Sequence, residues 1–135
     1  MIVVDSNVIA YCWLNGPHTA VAQRVRAVDP DWHVPVLWRS EMRSILTGYL
    51  RDGSLSHAQV SQVMETVEAA LGKSEHLIHS RSVFDLAQKS RLSAYDCEFV
   101  VLATALSVPL VTADKAVLNA FPDRAQTMDA YLAGH

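Results

Sequence analysis

Hydrophobic and polar positions along the chain follow two different periods. Short apolar runs predict buried strands at Ile2–Val4, His33–Val36, His76–Ile78, Pro109–Thr112 and, with a weaker signal, Ala125–Thr127. Between them, apolar residues recur every three or four positions, which predicts helices over Thr19–Val28, Leu37–Leu50, Ser56–Leu71, Ser80–Lys89 and Ala94–Leu106. Strands separated by helices of this length form βαβ units, so we expect a parallel sheet of four to five strands covered by helices on both faces.

Asp5 and Asp114 follow two of the predicted strands, in the segments "MIVVD" and "PLVTAD". Ligands of open α/β sheets bind beyond the carboxyl ends of the strands, so this position favours a functional site. An aspartate that precedes a helix is also a common N-cap, and both residues precede segments that can form helices. For either residue alone, the two interpretations remain open.

Two further acids lie on helix faces that should be buried. At about 100° per residue, Glu41 falls within the apolar arc of "LWRSEMRSILTGYL", and Asp96 lies on the apolar face of "AYDCEFVVLATAL". Glu98 projects almost opposite to Asp96 and should face water. A carboxylate that points toward a core is costly unless it is paired. Glu41 can be paired in a salt bridge with a neighbouring arginine, and Asp96 can complete a capping box with Ser93.

The four acids together favour a metal site. Two of them end parallel strands and two lie on helices that pack on the same sheet, so we expect them to converge. Two like charges about 4 Å apart repel by roughly 4 kcal/mol at an effective dielectric constant near 20. Such a cluster must take up protons or bind a cation. Oxygen ligands without His or Cys favour Mg²⁺ or Mn²⁺, which we predict to be held by Asp5, Glu41, Asp96 and Asp114.

Composition and charge limit the other possibilities. The 135 residues carry a formal net charge of −3, and half of them are hydrophobic. The length predicts a single domain spanning residues 1–135. A nucleic-acid-binding protein is usually basic, so contacts with RNA would depend on local cations or a metal. Cys12 and Cys97 lack the spacing of a thiol redox motif or a zinc site. Without a signal-like or membrane-spanning segment, we expect a soluble protein of the cytoplasm.

A family pattern extends over essentially the whole chain. "DSN" follows the first strand, Glu41 lies in the helix after the second, "LSAYDCEFVVLATAL" contains Asp96, and "PLVTADKAVL" contains Thr112 and Asp114. In order and spacing, this pattern resembles the PIN-domain nucleases and, more narrowly, the VapC-type ribonuclease toxins of toxin–antitoxin pairs. The last two segments are its most specific part. Where relatives often carry Asn three residues after the helix acid, this chain has Ser44.

The resemblance implies a three-layer α/β/α domain and an endoribonuclease that depends on Mg²⁺ or Mn²⁺. It also implies homodimers and inhibition by a small antitoxin protein. The residues that contact RNA are not predicted. The implied site consists of four catalytic and metal-binding acids, Asp5, Glu41, Asp96 and Asp114, with three polar supports, Ser6, Asn7 and Thr112.

Two alternatives remain at this point. Phosphatases of the haloacid-dehalogenase type also place Asp after the first strand, but they require a second Asp two residues later, where this chain has Asn7. The second alternative is a non-catalytic binding module with the same fold, against which the presence of all four acids argues. A dimer or antitoxin surface is predicted around Leu14, Val21 and Val25, where apolar residues are in excess.

Overall fold

In the computed structural model, which describes residues 1–135, five short strands form one parallel sheet. Their order in the sheet is β3-β2-β1-β4-β5, and every neighbouring pair is parallel. The predicted α/β class and parallel sheet are therefore confirmed. The strands are β1 (Ile2–Val4), β2 (Trp32–Pro35), β3 (Glu75–His76), β4 (Leu110–Val111) and β5 (Ala125–Gln126).

Eight α-helices surround the sheet, and five of them match the predicted helices to within one residue. They are α1 (Ser6–Trp13), α2 (Thr19–Val28), α3 (Trp38–Arg51), α4 (His57–Leu71), α5 (Ser80–Lys89), α6 (Ala94–Leu106), α7 (Lys115–Ala120) and α8 (Met128–Ala133). Helices at α1 and α7 were expected without bounds, and no helix was predicted at α8. Six to eight residues hold about two turns, which is too short for a helical period to be distinctive.

The predicted strand at His76–Ile78 is displaced. It begins and ends earlier, because β3 pairs with β2 through Glu75 and His76 only, and β2 itself ends at Pro35. Beyond that point Leu77 has no neighbouring strand and is 91% exposed. Ile78 packs instead against the core below the sheet. Of the predicted strand His76–Ile78, only the first residue, His76, belongs to β3.

Alternation along β1 divides the core into two clusters. Ile2 and Val4 point to one face, where they pack with α1, α2, α3, α4 and α8. Val3 points to the other face, where it packs with α6 and α7 and where Leu86 of α5 also lies. The sheet thus lies between two helical layers, which confirms the three-layer α/β/α architecture. Parallel pairing of β1 with β4 brings the residues that follow both strands to the same edge.

The apolar surface differs from the prediction. Val25 is completely buried, and Leu14 and Val21 are partly buried against the core, so these residues do not form a free surface. The excess of apolar residues there served to hold α1 and α2 to the sheet. The most exposed large apolar side chains are elsewhere, namely Leu77, Phe84 (66%) and Tyr95 (62%). None of the helices has the length and apolar character needed to cross a bilayer.

Candidate active site

All seven predicted site residues line one pocket at the carboxyl ends of β1 and β4. The pocket has a volume of about 270 Å³. It lies where the sheet edge meets the first turns of α1, α3, α6 and α7. Ser44 is part of the wall as well. The lining consists of Asp5, Ser6, Asn7, Glu41, Ser44, Asp96, Thr112 and Asp114, with a floor of Ile45, Phe99, Leu110 and Val117.

Asp5 is both an N-cap and a member of the pocket. One carboxylate oxygen, Oδ1, accepts a hydrogen bond from the backbone N–H of Val8 at 2.9 Å, which caps α1. The other, Oδ2, accepts one from the Thr112 hydroxyl and a longer one, 3.3 Å, from the backbone N–H of Ala113. Burial raises the pKa of Asp5, and these three hydrogen bonds oppose the rise. Asp5 is therefore confirmed as an N-cap, and it lines the pocket as well.

Thr112 links the two acids that follow the strands. Its buried hydroxyl donates to Asp5 and accepts from the backbone N–H of Asp114 at 3.0 Å. Asp114 in turn caps α7, because its Oδ1 accepts from the N–H groups of Ala116 and Val117 at 2.8 and 3.1 Å. A single hydroxyl thus fixes the spacing between Asp5 and Asp114.

Glu41 has no arginine partner, contrary to the salt bridge considered from the sequence. Its Oε1 accepts a hydrogen bond of 2.7 Å from the hydroxyl of Ser6, a buried residue of α1. Burial raises the pKa of Glu41, the nearby charges of Asp96 and Asp5 raise it further, and the Ser6 hydrogen bond opposes them. Glu41, Asp5 and Asp96 line the same pocket, so their like charges act on one another.

Asp96 begins α6, and its carboxylate remains available to the pocket. The Ser93 hydroxyl accepts a hydrogen bond from the Asp96 backbone N–H at 3.1 Å, which is one half of the capping box considered from the sequence. The reciprocal half, from the Asp96 side chain to the Ser93 backbone, is not formed. Burial raises the pKa of Asp96, the charge of Asp114 adds to this, and the Ser93 hydroxyl lowers it.

Glu98 is a fifth acid near the pocket, and the prediction that it faces water is wrong. It is half-buried, and burial together with the charge of Glu41 raises its pKa. The helical wheel failed here because α6 is buried on more than one side, as the fully covered Cys97, Phe99 and Val100 demonstrate. A helix that is apolar around most of its circumference has no single polar face from which exposure can be deduced.

The acids around the pocket have no cationic partner. The ion pairs of the protein join the chain's amino group to Asp29, His33 to Asp31, and Arg39 to Glu68 and Glu75. Arg39, which precedes Glu41 by two residues, therefore serves a different group of acids. The pocket combines like charges with partial burial, and nothing in the chain neutralises them.

The donor atoms fit a hard divalent ion. Carboxylate and hydroxyl oxygens line the site, and no His or Cys side chain reaches it. In this arrangement no three acidic side chains surround one point closely enough to bind an ion by themselves. Mg²⁺ usually retains several waters and binds to one or two carboxylates, so the open pocket suits this mode of binding.

A family model and a named relative each match most of the chain. Residues 2–122 match the family model described as PIN domain. Ribonuclease VapC3 from Pyrobaculum aerophilum is 26% identical over 124 residues, which is 90% of this chain and 95% of that protein.

Two solved structures share the fold. The crystal structure of PAE2754 from Pyrobaculum aerophilum has a TM-score of 0.78 at 18% identity and covers 98% of this chain and 94% of its own. A toxin–antitoxin complex from Klebsiella pneumoniae contains a chain with a TM-score of 0.72 at 13% identity, with coverage of 95% and 98%.

Proposed function

Because this chain belongs to the PIN domain family, we propose that it is a metal-dependent endoribonuclease that acts as the toxin of a toxin–antitoxin pair. The similarity to a protein named ribonuclease VapC3 supports the ribonuclease part. The fold shared with a chain in a toxin–antitoxin complex is consistent with the toxin part. Membership of this family argues against a phosphatase of the haloacid-dehalogenase type, which Asn7 already disfavoured.

The observation that carries the proposal is the uncompensated charge of the pocket. Asp5, Glu41, Asp96 and Asp114 share it without a cation from the chain, and the pKa values of the first three are raised. Such a cluster can lower its repulsion by binding protons or by binding a metal ion. Metal binding is the state in which four acids in one pocket have a function. Asp5 and Asp96 would hold the main Mg²⁺ or Mn²⁺ ion, and Glu41 and Asp114 would complete the site directly or through water.

The chain's own residues would position this chemistry. A bound divalent ion activates water for attack and neutralises phosphate charge. Thr112 holds Asp5 in place, and Ser6 holds Glu41, so each hydroxyl keeps one carboxylate directed toward the pocket. The opening of the pocket at the sheet edge admits a phosphodiester. Attack by water, without help from the RNA 2′-hydroxyl, leaves a 5′-phosphate and a 3′-hydroxyl.

An RNA cleavage assay tests the proposal. We expect cleavage with Mg²⁺ or Mn²⁺, none with EDTA, none by Asp5→Asn, and normal rates for Asp123→Asn, which removes an exposed acid outside the pocket. Products ending in 2′,3′-cyclic phosphate would contradict attack by water, and cleavage that persists in EDTA would contradict the metal. No cleavage under any condition would favour the non-catalytic binding module. A second readout is thermal unfolding, where Mg²⁺ should stabilise the wild type more than Asp5→Asn.

The partners are also part of the proposal. We expect a homodimer and a small inhibitory antitoxin protein. Support on the surface comes from Leu77, Phe84 and Tyr95, three large apolar side chains that are mostly exposed. Large apolar side chains that remain exposed can become covered in a protein interface.

A further inference from the structure

A groove leaves the acid-lined pocket between α1 and α3. The acid-lined pocket shares Asn7 and Ile45 with a smaller pocket of about 180 Å³. This middle pocket in turn shares Leu14, Asn15 and Tyr49 with an outer pocket of about 620 Å³. Because neighbouring pockets have lining residues in common, the three lie side by side in a row that begins at the carboxylates.

The register of the helices produces this groove. Glu41, Ile45 and Tyr49 are four residues apart on α3, so they lie on one face and span about 12 Å along the helix. Asn7 and Tyr11 have the same spacing on α1, which packs against α3. The face of α3 that carries Glu41 at the acid-lined pocket therefore continues into the middle pocket.

The two pockets differ in charge. Four carboxylates line the acid-lined pocket, whereas the middle pocket has no Asp, Glu, Lys or Arg in its wall. Its polar groups are amides, hydroxyls and an imidazole. The rings of Tyr11 and His18 lie against each other with their centroids 4.6 Å apart. Such a wall suits a flat, neutral ligand with hydrogen-bonding edges better than it suits a phosphate or a charged side chain.

Two side-chain amides of the middle pocket, those of Asn7 and Asn15, make no hydrogen bond within the protein and can bind a ligand. The local hydrogen bonds are made by Thr19, whose hydroxyl accepts from the Gly16 N–H at 2.9 Å and donates to the Leu14 carbonyl at 2.8 Å. The amides of Asn7 and Asn15 take no part in them. The loop between α1 and α2 is thus held by one threonine, while Asn15 of this loop and Asn7 of α1 line the middle pocket.

We propose that the middle pocket binds one nucleobase of a single-stranded RNA, adjacent to the phosphodiester in the acid-lined pocket, and that it sets the base preference at that position. This inference rests on the proposed ribonuclease function. Single-stranded RNA is recognised through bases that stack on aromatic rings and expose their edges to hydrogen bonds. Tyr11, His18 and Tyr49 supply the rings, and Asn7 and Asn15 supply the edge contacts. The volume suits one base and excludes a helix, which is at least about 10 Å wide.

Sequencing the ends of a cleaved, fully randomised single-stranded RNA tests this inference. We expect the wild type to prefer one or two bases at one position beside the cut. Tyr49→Ala should lower kcat/KM for the preferred base about 10-fold, a typical loss for one stacked base. Asn15→Ala should lower it by up to about 10-fold, because it removes a hydrogen bond to the base edge. Both variants should flatten the preference at that position only. Tyr49→Phe should retain most of it. Val28→Ala is the control, because it removes an exposed apolar side chain on α2 that lines none of the three pockets, and it should change nothing.

The outcomes separate this inference from the ribonuclease proposal. If the wild type cleaves without base preference, or if both pocket variants keep the full preference, the base site is wrong and the ribonuclease function stands. An unchanged preference would leave the groove to another occupant, such as a segment of a partner protein. If the wild type does not cleave RNA at all, both fail. The non-cleaving variant Asp96→Asn gives a second readout, since adding Tyr49→Ala to it should weaken binding of the preferred oligonucleotide about 10-fold.

Discussion

Helix α3 carries two charged regions that are built in opposite ways. Around Arg39, two carboxylates meet a cation: its guanidinium binds both oxygens of Glu75, at 2.6 and 2.8 Å, and pairs with Glu68. Two residues further along, Glu41 lies among acids and has only the Ser6 hydroxyl as a partner. The first region satisfies its charges within the fold, and the second leaves its carboxylates without a cation from the chain.

The pKa shifts express the same difference. The Arg39 hydrogen bonds hold the pKa of Glu75 below its usual range, and the Trp38 indole N–H also donates to Glu75, at 2.7 Å. Burial and neighbouring acids raise the pKa of Glu41. Both regions contain a glutamate, so the residue type alone does not indicate the role of the side chain. The partner decides whether a carboxylate stabilises the fold or serves a site.

The largest effect that separates the two regions should be on activity. Glu41→Gln removes a charge from the acid-lined pocket and should lower RNA cleavage by about 100-fold or more, since changes that only reorient metal ligands already cost 10- to 100-fold. The free energy of unfolding without metal should stay the same or rise, because a repelled charge is lost. Rates and denaturant unfolding measure both. Glu65→Gln, an exposed acid on α4, is the control, and equal losses in both variants would contradict the assignment of Glu41.

Around Arg39 the effect should fall on stability instead. Arg39→Ala leaves the half-buried Glu75 without its cation and should lower the free energy of unfolding by about 1–3 kcal/mol. Cleavage per folded molecule should not change. Denaturant unfolding measures the loss, and Arg43→Ala, which removes an exposed arginine without an ion pair, should cost less than about 0.5 kcal/mol. A loss of activity without a loss of stability would mean that Arg39 contacts the substrate.

The sequence revealed the acid-lined pocket better than it revealed the Arg39 region. Asp5 and Asp114 were locatable because parallel strands end at a common edge, and Glu41 because a charge within an apolar helical arc is unusual. The pairing of Arg39 with Glu75 joins residues 36 positions apart. No local period encodes it, because it depends on where β3 lies beside β2.

The same limit explains the residues that were missed or misplaced. Glu98 was assigned to water because a helical wheel assumes one buried face, and α6 has more than one. Val25 was assigned to an interface because an apolar pattern in the sequence is the same whether the residue is covered by its own chain or by a second chain. The groove toward Tyr49 needs the packing of α1 on α3, and that packing is a tertiary property. The local sequence pattern thus predicts helices, strands and their buried faces. The contacts between side chains depend on how these elements pack together.

The smallest effect should be a difference in how stability depends on pH. The folded-state pKa of Glu41 lies above its ordinary value of 4.5, so its stabilising contribution is complete below that value and is lost as pH rises through the folded-state pKa. The folded-state pKa of Glu75 lies below 4.5, so its contribution is present above that value and is lost as pH falls through the folded-state pKa.

Substituting either glutamate with glutamine should therefore change the pH dependence of stability, on opposite sides of pH 4.5 for the two residues. In EDTA, Glu41→Gln should reduce the decline in the free energy of unfolding on the alkaline side of pH 4.5, and Glu75→Gln should reduce the decline on the acid side. Denaturant unfolding of both variants and the wild type between pH 3 and 8 measures the two slopes, a range that covers the ordinary titration of Asp and Glu. If both variants flatten the same side, the two regions of α3 do not differ electrostatically. Excess Mg²⁺ should abolish only the alkaline decline, because a cation that binds the ionised pocket replaces the protons that stabilise it.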